Sequence, residues 1–289
     1  MIFTETYTLN NGVKIPKLGL GTWFIPDEDV AQAVYDAVNI GYRHFDTAQA
    51  YGNERGVGEG ILNSGVARED LFVTSKLAAE IKDYGDAAQA IDETLTKMGL
   101  DYLDLMLIHS PEPWAEFRAE NYDEGNLAAW SALEDAYRDG KIRAIGVSNF
   151  LEKDLANLLE NAEIMPMVNQ LLVHAGNTPI SLLQYCQAND ILVEAYSPIA
   201  HGEAFENPTL KEMAAKYNVS IPQLCIRYDL QLGTVPLPKT ANPTHMADNA
   251  KLDFEISAED MATLKALKGL DYGDSSVFPV FSDKNKAQD

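Results

Sequence analysis

Apolar residues along this chain fall into short runs that alternate with longer stretches of helical period. Five of the short runs stop on a polar or ionisable side chain. They cover 42–46, 72–76, 105–109, 145–148 and 192–196 and end at Asp46, Lys76, His109, Ser148 and Tyr196. Between them the spacing changes. Val30, Ala33, Val34, Ala37 and Val38 recur at 3.6 residues, which predicts a helix capped by Asp27 and ended by Gly41. Ile91, Leu95 and Met98 predict another, capped by Asp86 and closed by Gly99. Further helices are expected from 53 or 54 to near 65 and over 127–137, 151–159 and 180–188. The series continues after Ser220 and Pro222, with Pro243 in a first turn, and after Ser257. Strands are expected over 18–22, 42–46, 71–76, 102–109, 142–148, 167–170, 191–196 and 234–237. Ahead of them, Asn10-Asn11-Gly12 between two short alternating runs predicts a hairpin.

Eight strand-then-helix units predict an α/β fold, a (β/α)8 TIM barrel with an N-terminal β-hairpin, over residues 1–289 as one domain. A doubly wound open sheet is the competing architecture. It usually carries a glycine-rich phosphate turn after its first strand. Here Ile61 stands where the last glycine of G-x-G-x-x-G would be, and the run at Gly56-Val57-Gly58 follows no strand. In a parallel barrel the C-terminal ends of the strands converge on one mouth. Asp46, Tyr51, Lys76 and His109 are then expected to meet there, although they lie far apart in the chain. Strand parity agrees: Tyr42, His44 and Asp46 share one face, as do Phe72, Thr74 and Lys76, and Leu103, Leu105, Leu107 and His109.

Composition narrows the function classes. Hydrophobic residues make up 46% and charged residues 23%, ordinary for a globular chain. The net charge of −22 argues against nucleic acid and against anionic membranes, which need clustered Lys and Arg. No run reaches the length of a membrane span, and the stretch Met1 to Thr6 has no features of a signal peptide. Cys186 and Cys225 both fall on apolar helix faces, which predicts buried free thiols and a cytoplasmic location. No Cys/His spacing suits a metal, so none is expected.

An Asp, a Lys, a Tyr and a His in one mouth form a plausible proton-transfer device. A lysine held by a carboxylate keeps its charge, and that charge is expected to lower the pKa of a neighbouring phenol so that it donates a proton near neutrality. No side chain supplies hydride, so a redox reaction requires a bound nicotinamide. Asp46–Lys76 alone could be a structural ion pair, His109 alone a satisfied core histidine and Tyr51 alone a loop aromatic. His44 is expected to be barrel filling. The joint occurrence at successive strand ends favours chemistry.

These residues carry a family resemblance. GYRHFDTAQAYGNE (41–54), LDLMLIHSP (103–111) and KIRAIGVSNF (141–150) occur in order, and the chain resembles the aldo-keto reductases from Gly19 to about Leu252. Within them it looks most like the bacterial and fungal group around 2,5-diketo-D-gluconic acid reductase. The resemblance implies an NAD(P)H-dependent enzyme that reduces aldehydes or ketones to alcohols, with Tyr51 as general acid, Lys76 and Asp46 tuning it and His109 orienting the carbonyl. It assigns Thr22, Trp23, Asp46, Ser148, Asn149, Gln170, Tyr196, Ser197, Ile199, Lys239, Thr240, His245 and Asn249 to the cofactor. Within that set Ser148, Asn149 and Gln170 take the carboxamide, Tyr196 the ring, and Ser197 and Ile199 the pyrophosphate. Lys239, Thr240, His245 and Asn249 take the adenosine 2′-phosphate and adenine. Trp23, Tyr51, His109, Trp114 and Phe278 would line the substrate pocket. It implies a monomer acting on a small carbonyl compound. Relatives on this fold that serve as binding or structural modules keep a non-catalytic, nicotinamide-binding role open.

Leu172 stands where many relatives carry Glu, the 112–125 loop and the tail from 271 also depart from the family, and one further departure bears on the cofactor. His245 stands where Arg is usual. Arg offers a permanent charge and a planar fork to a phosphate, whereas imidazole is mostly neutral at pH 7. A weaker preference for NADPH over NADH is therefore expected, with NADH accepted and Lys239 still favouring NADPH.

Overall fold

A computed structural model describes residues 2–270 and 272–282. Met1, Asp271 and residues 283–289, which the sequence reading included in its terminal stretches, lie outside the described residues.

Two strands, β1 (Thr6–Thr8) and β2 (Lys14–Pro16), pair antiparallel as the predicted hairpin. The amide of Asn10 donates to the carbonyls of Pro166 and Asp190, and that of Asn11 to the carbonyl of Arg143. These residues all precede barrel strands, so the hairpin covers the N-terminal end of the barrel. Eight parallel strands follow in sequential order: β3 (Leu20–Gly21), β4 (His44–Asp46), β5 (Phe72–Leu77), β6 (Leu105–Ile108), β7 (Ile145–Ser148), β8 (Val168–Leu172), β9 (Leu192–Tyr196) and β10 (Val235–Leu237). The amides of Gly19 and Gly21 donate to the carbonyls of Pro236 and Pro238 at 3.2 and 3.1 Å, joining the first strand to the last and closing the barrel. Gly19 permits that closure, because a Cβ there would lie 2.5 Å from Leu237 and 2.8 Å from the His44 ring. Each expected strand is present; β5 and β8 run one and two residues past their expected C-terminal ends, and the others are shorter than expected.

Among the described residues ten α-helices accompany the barrel: α1 (Asp27–Ile40), α2 (Glu54–Leu62), α3 (Tyr84–Met98), α4 (Asp123–Arg138), α5 (Glu152–Asn161), α6 (Ile180–Ala188), α7 (Pro208–Tyr217), α8 (Ile221–Gln231), α9 (Pro243–Asn249) and α10 (Ala258–Ala266). The predicted apolar faces are the buried ones, for example Val30, Val34, Ala37 and Val38 on α1. Several starts differ from expectation. Asp27 is the first helical residue after Pro26, and its carboxylate serves the next helix instead, accepting from the Gly56 amide and pairing with Arg55 at 2.6 Å. Asp83, not Asp86, caps α3, accepting from the amides of Gly85 and Asp86. The first turn of α3 is solvent-facing, so its apolar period begins only after the helix has started. Helix α4 begins at Asp123, a full turn before Leu127, because its first turn, Asp123-Glu124-Gly125-Asn126, holds no apolar side chain. Ser257 caps α10, but Asp260 does not return the bond that would complete a capping box; its carboxylate is held by Lys216 and Tyr217. Helix α7 was not anticipated. Asn207 caps it and Pro208 opens it, with Leu210, Met213 and Ala214 buried. That signal follows directly on an irregular stretch and is only ten residues long. Both cysteines are buried and unbridged. No helix among the described residues is long and apolar enough to cross a membrane.

Candidate active site

The strand ends open into a cavity of about 590 Å³. It is lined from the barrel side by Asp46, Tyr51, His109, Ser148, Asn149, Gln170 and Tyr196. Around the rim stand Thr22, Trp23, Trp114, Ser197, Ile199, Lys239 and Phe278. Thr240, His245 and Asn249, which the resemblance grouped with these, are not among the lining residues. They lie on or just before α9, the helix that follows the last strand, with His245 exposed and Asn249 buried.

Four predicted side chains meet at the floor. Lys76 is fully buried, and its ammonium donates to Asp46 Oδ1 at 2.6 Å, to the Thr47 carbonyl at 2.9 Å and to the Tyr51 hydroxyl at 3.2 Å. An ammonium has three N–H groups, and all three are used. Burial alone would lower the pKa of Lys76, but the Asp46 carboxylate and Tyr51 outweigh it and raise it. Tyr51 corrects the sequence expectation. Lys76 does pull the phenol down, but burial pushes it up further, with Asp46 adding to the rise, so its pKa lies above the ordinary value. His109 stands edge-on to Tyr51, ring centres 5.6 Å apart, and edge-on to Trp114 at 5.2 Å. Burial first, and the charge of Lys76 second, hold His109 well below its ordinary pKa, so the ring is neutral. Its Nδ1 is buried without a hydrogen-bond partner among the described residues.

A second polar group lies beside the first. Ser148 donates to the Gln170 carbonyl at 2.9 Å, Asn149 donates to Ser148 Oγ and to the His109 carbonyl, and the Tyr196 hydroxyl donates to Asn149 Oδ1 at 2.7 Å. Asn149 and Ser197 both have positive φ, 62° and 54°, where the backbone turns off the strand ends into the cavity rim. Above the floor, Trp23 packs against Phe278 at 5.1 Å and His201 at 5.3 Å, joining three separate segments into an aromatic wall.

Two contributors were missed by sequence reasoning. His201 stands in the irregular segment after β9, where no periodicity marks it. Glu194 is fully buried in mid-strand, and its Oε2 accepts from Gln170 Nε2 at 2.8 Å. A charged residue two positions before Tyr196 in an otherwise apolar strand was a readable signal. His44, expected to be filling, is part of the same group. Its Nε2 lies 3.4 Å from Glu194 Oε1 and 3.3 Å from Thr74 Oγ1.

The closed parallel barrel gathers Asp46, Lys76, Tyr51 and His109 on one floor, and comparison with known proteins places the chain among the oxidoreductases. The chain belongs to the aldo/keto reductase family, whose model matches residues 17–268. Glyoxal reductase of Bacillus subtilis is 44% identical over 265 residues, covering 91% of this chain and 92% of that protein. Morphine 6-dehydrogenase of Pseudomonas putida is 39% identical over 274 residues, covering 90% of each. Among solved structures, an aldo-keto reductase of Bombyx mori in complex with NADP superposes with a TM-score of 0.82 at 36% identity, over 90% of this chain and 92% of that one.

Proposed function

We propose that this reductase takes NADPH in preference to NADH and reduces a small, uncharged or sugar-derived aldehyde or ketone, with Tyr51 as the proton donor. The observation that carries the reading is the direction of the bond between Lys76 and Tyr51. The phenol oxygen accepts from the ammonium at 3.2 Å, which leaves the phenol hydrogen free for another acceptor in the cavity. When Tyr51 gives up that proton, the phenolate formed is stabilised by a cation already in place, in a site walled by Trp23, Trp114 and Phe278. The raised pKa of the resting phenol keeps the proton on Tyr51 until a substrate oxygen gains negative charge. Neutral His109 retains one N–H donor, and its edge-on place beside Tyr51 suits it to orient the same oxygen.

The polar wall fits a nicotinamide. The Gln170 side chain has an amide oxygen with no partner among the described residues, while Ser148, Asn149 and Tyr196 are already held in fixed positions by one another. A reduced nicotinamide bound there supplies the hydride that no side chain can. Ser197, Ile199 and Lys239 would carry the pyrophosphate and phosphate end. Thr240, His245 and Asn249 would contact the adenosine, in agreement with their absence from the cavity lining. Lys239 is exposed at the rim, and its charge favours a 2′-phosphate.

Purified protein with a panel of aldehydes and ketones, NADPH and NADH run side by side, tests both parts by absorbance of the reduced cofactor. Carbonyl-dependent loss of signal is expected with both cofactors and faster with NADPH. A kcat/KM ratio above about a thousandfold, roughly 4 kcal/mol, would contradict the weakening ascribed to His245.

A further inference from the structure

Glu194 has no place in the proton-donating floor, yet it is one of the most deeply buried carboxyl groups in the chain. It is paired in register with Gln170 on the neighbouring strand, two residues below Tyr196. The Gln170 amide nitrogen donates to Glu194 Oε2 and to Asp46 Oδ2, both at 2.8 Å. A primary amide has two N–H groups and one carbonyl oxygen. Both N–H groups are therefore spent on carboxyl groups, and the oxygen is what remains for the cavity. Turning the amide over would set that oxygen against the Asp46 carboxylate and leave its N–H groups facing the cavity. The nicotinamide carboxamide has an N–H₂ that needs an acceptor.

We propose, building on the nicotinamide-binding reading above, that Glu194 is a positioning residue: with Asp46 it clamps the Gln170 nitrogen so that the amide oxygen is presented to the cofactor carboxamide. The groups facing Glu194 are consistent with this. Burial raises its pKa to about 8, and the charge of Asp46 adds to the rise, while the Gln170 bond and Lys76 oppose it. At neutral pH Glu194 is thus mainly uncharged, and it can hold Gln170 without placing a second negative charge beside Asp46. His44, on its other side, is pushed down to about 3 by burial and is neutral as well.

The test uses full-length protein and cofactor binding read by fluorescence, with NADP⁺ and with its 3-acetylpyridine analogue, in which a methyl group replaces the carboxamide N–H₂. Glu194→Met should weaken NADP⁺ binding by about tenfold, the worth of one hydrogen bond, and leave the analogue unchanged. Glu194→Gln, whose side-chain oxygen still accepts from Gln170, should bind both like the natural protein. Glu194→Asp withdraws the carboxyl by one methylene and should repeat the Met pattern in smaller measure, which keeps the test open if the Met variant does not fold. Equal weakening of both cofactors, or no change in either, would overturn the proposal. Failure of the natural protein to bind either cofactor would overturn the nicotinamide reading itself and this proposal with it.

Discussion

Asp46 and Glu194 are two carboxyl groups in one barrel interior, both buried and both bonded to the same nitrogen of Gln170. They differ in what stands on the far side. Asp46 has the Lys76 ammonium at 2.6 Å, whereas Glu194 has a neutral imidazole at 3.4 Å. The cation lets Asp46 serve as the anionic partner of the floor. Without one, Glu194 keeps its proton until about pH 8. Both acids are buried; what differs is the neighbour, a cation for one and an imidazole for the other. The pair divides the work of the site, one acid supporting the lysine beside the proton donor and the other supporting the amide beside the cofactor.

The comparison is broken most severely by Lys76→Met, which makes Asp46 resemble Glu194. A buried carboxylate stripped of its cation is expected to destabilise the fold by about 3–5 kcal/mol, with turnover lost as well. Denaturant unfolding together with the carbonyl assay checks this; unchanged stability would mean that the Lys76–Asp46 pair does not hold the barrel floor together. A smaller effect sharpens the contrast. The pKa of Glu194 is higher in the folded chain than the ordinary carboxylate value, so its contribution to stability is complete below about pH 4.5 and is lost as pH rises towards 8. Glu194→Gln cannot lose a proton. Its melting temperature, relative to the natural protein, should therefore climb between pH 5 and pH 8 by on the order of a few degrees. A difference that stays flat over that range would show that Glu194 is ionised throughout.

How far the sequence disclosed these groups follows from where they sit. Asp46, Lys76 and His109 close apolar runs, so the barrel period and the run ends together point to them. Tyr51 follows in the loop at the same mouth. Glu194 lies inside its run rather than at its end, so only its charge among Val193 and Ala195, in a strand buried on both sides, marks it. The eight strands were legible because a fully buried parallel strand is a continuous apolar run between turns. Helix starts were less so. The solvent-facing first turn of α3 and the polar first turn of α4 carry no apolar period, and α7 follows directly on the irregular 197–206 stretch. The phenol of Tyr51 is instructive in another way. Its neighbours were foreseen and the sign of the Lys76 effect was right, but the extent of burial, which sequence does not give, reverses the net shift.

The proton-donor role of Tyr51 is tested most directly by replacing Tyr51 with Phe and measuring NADPH binding by fluorescence beside carbonyl-dependent loss of reduced-cofactor absorbance. The substitution removes one oxygen from the floor and leaves the ring, the ion pair and Gln170 in place. Turnover should fall by about 10²–10⁴-fold while binding stays close to that of the natural protein. Retained turnover would contradict the account, and another group in the cavity would then have to supply the proton.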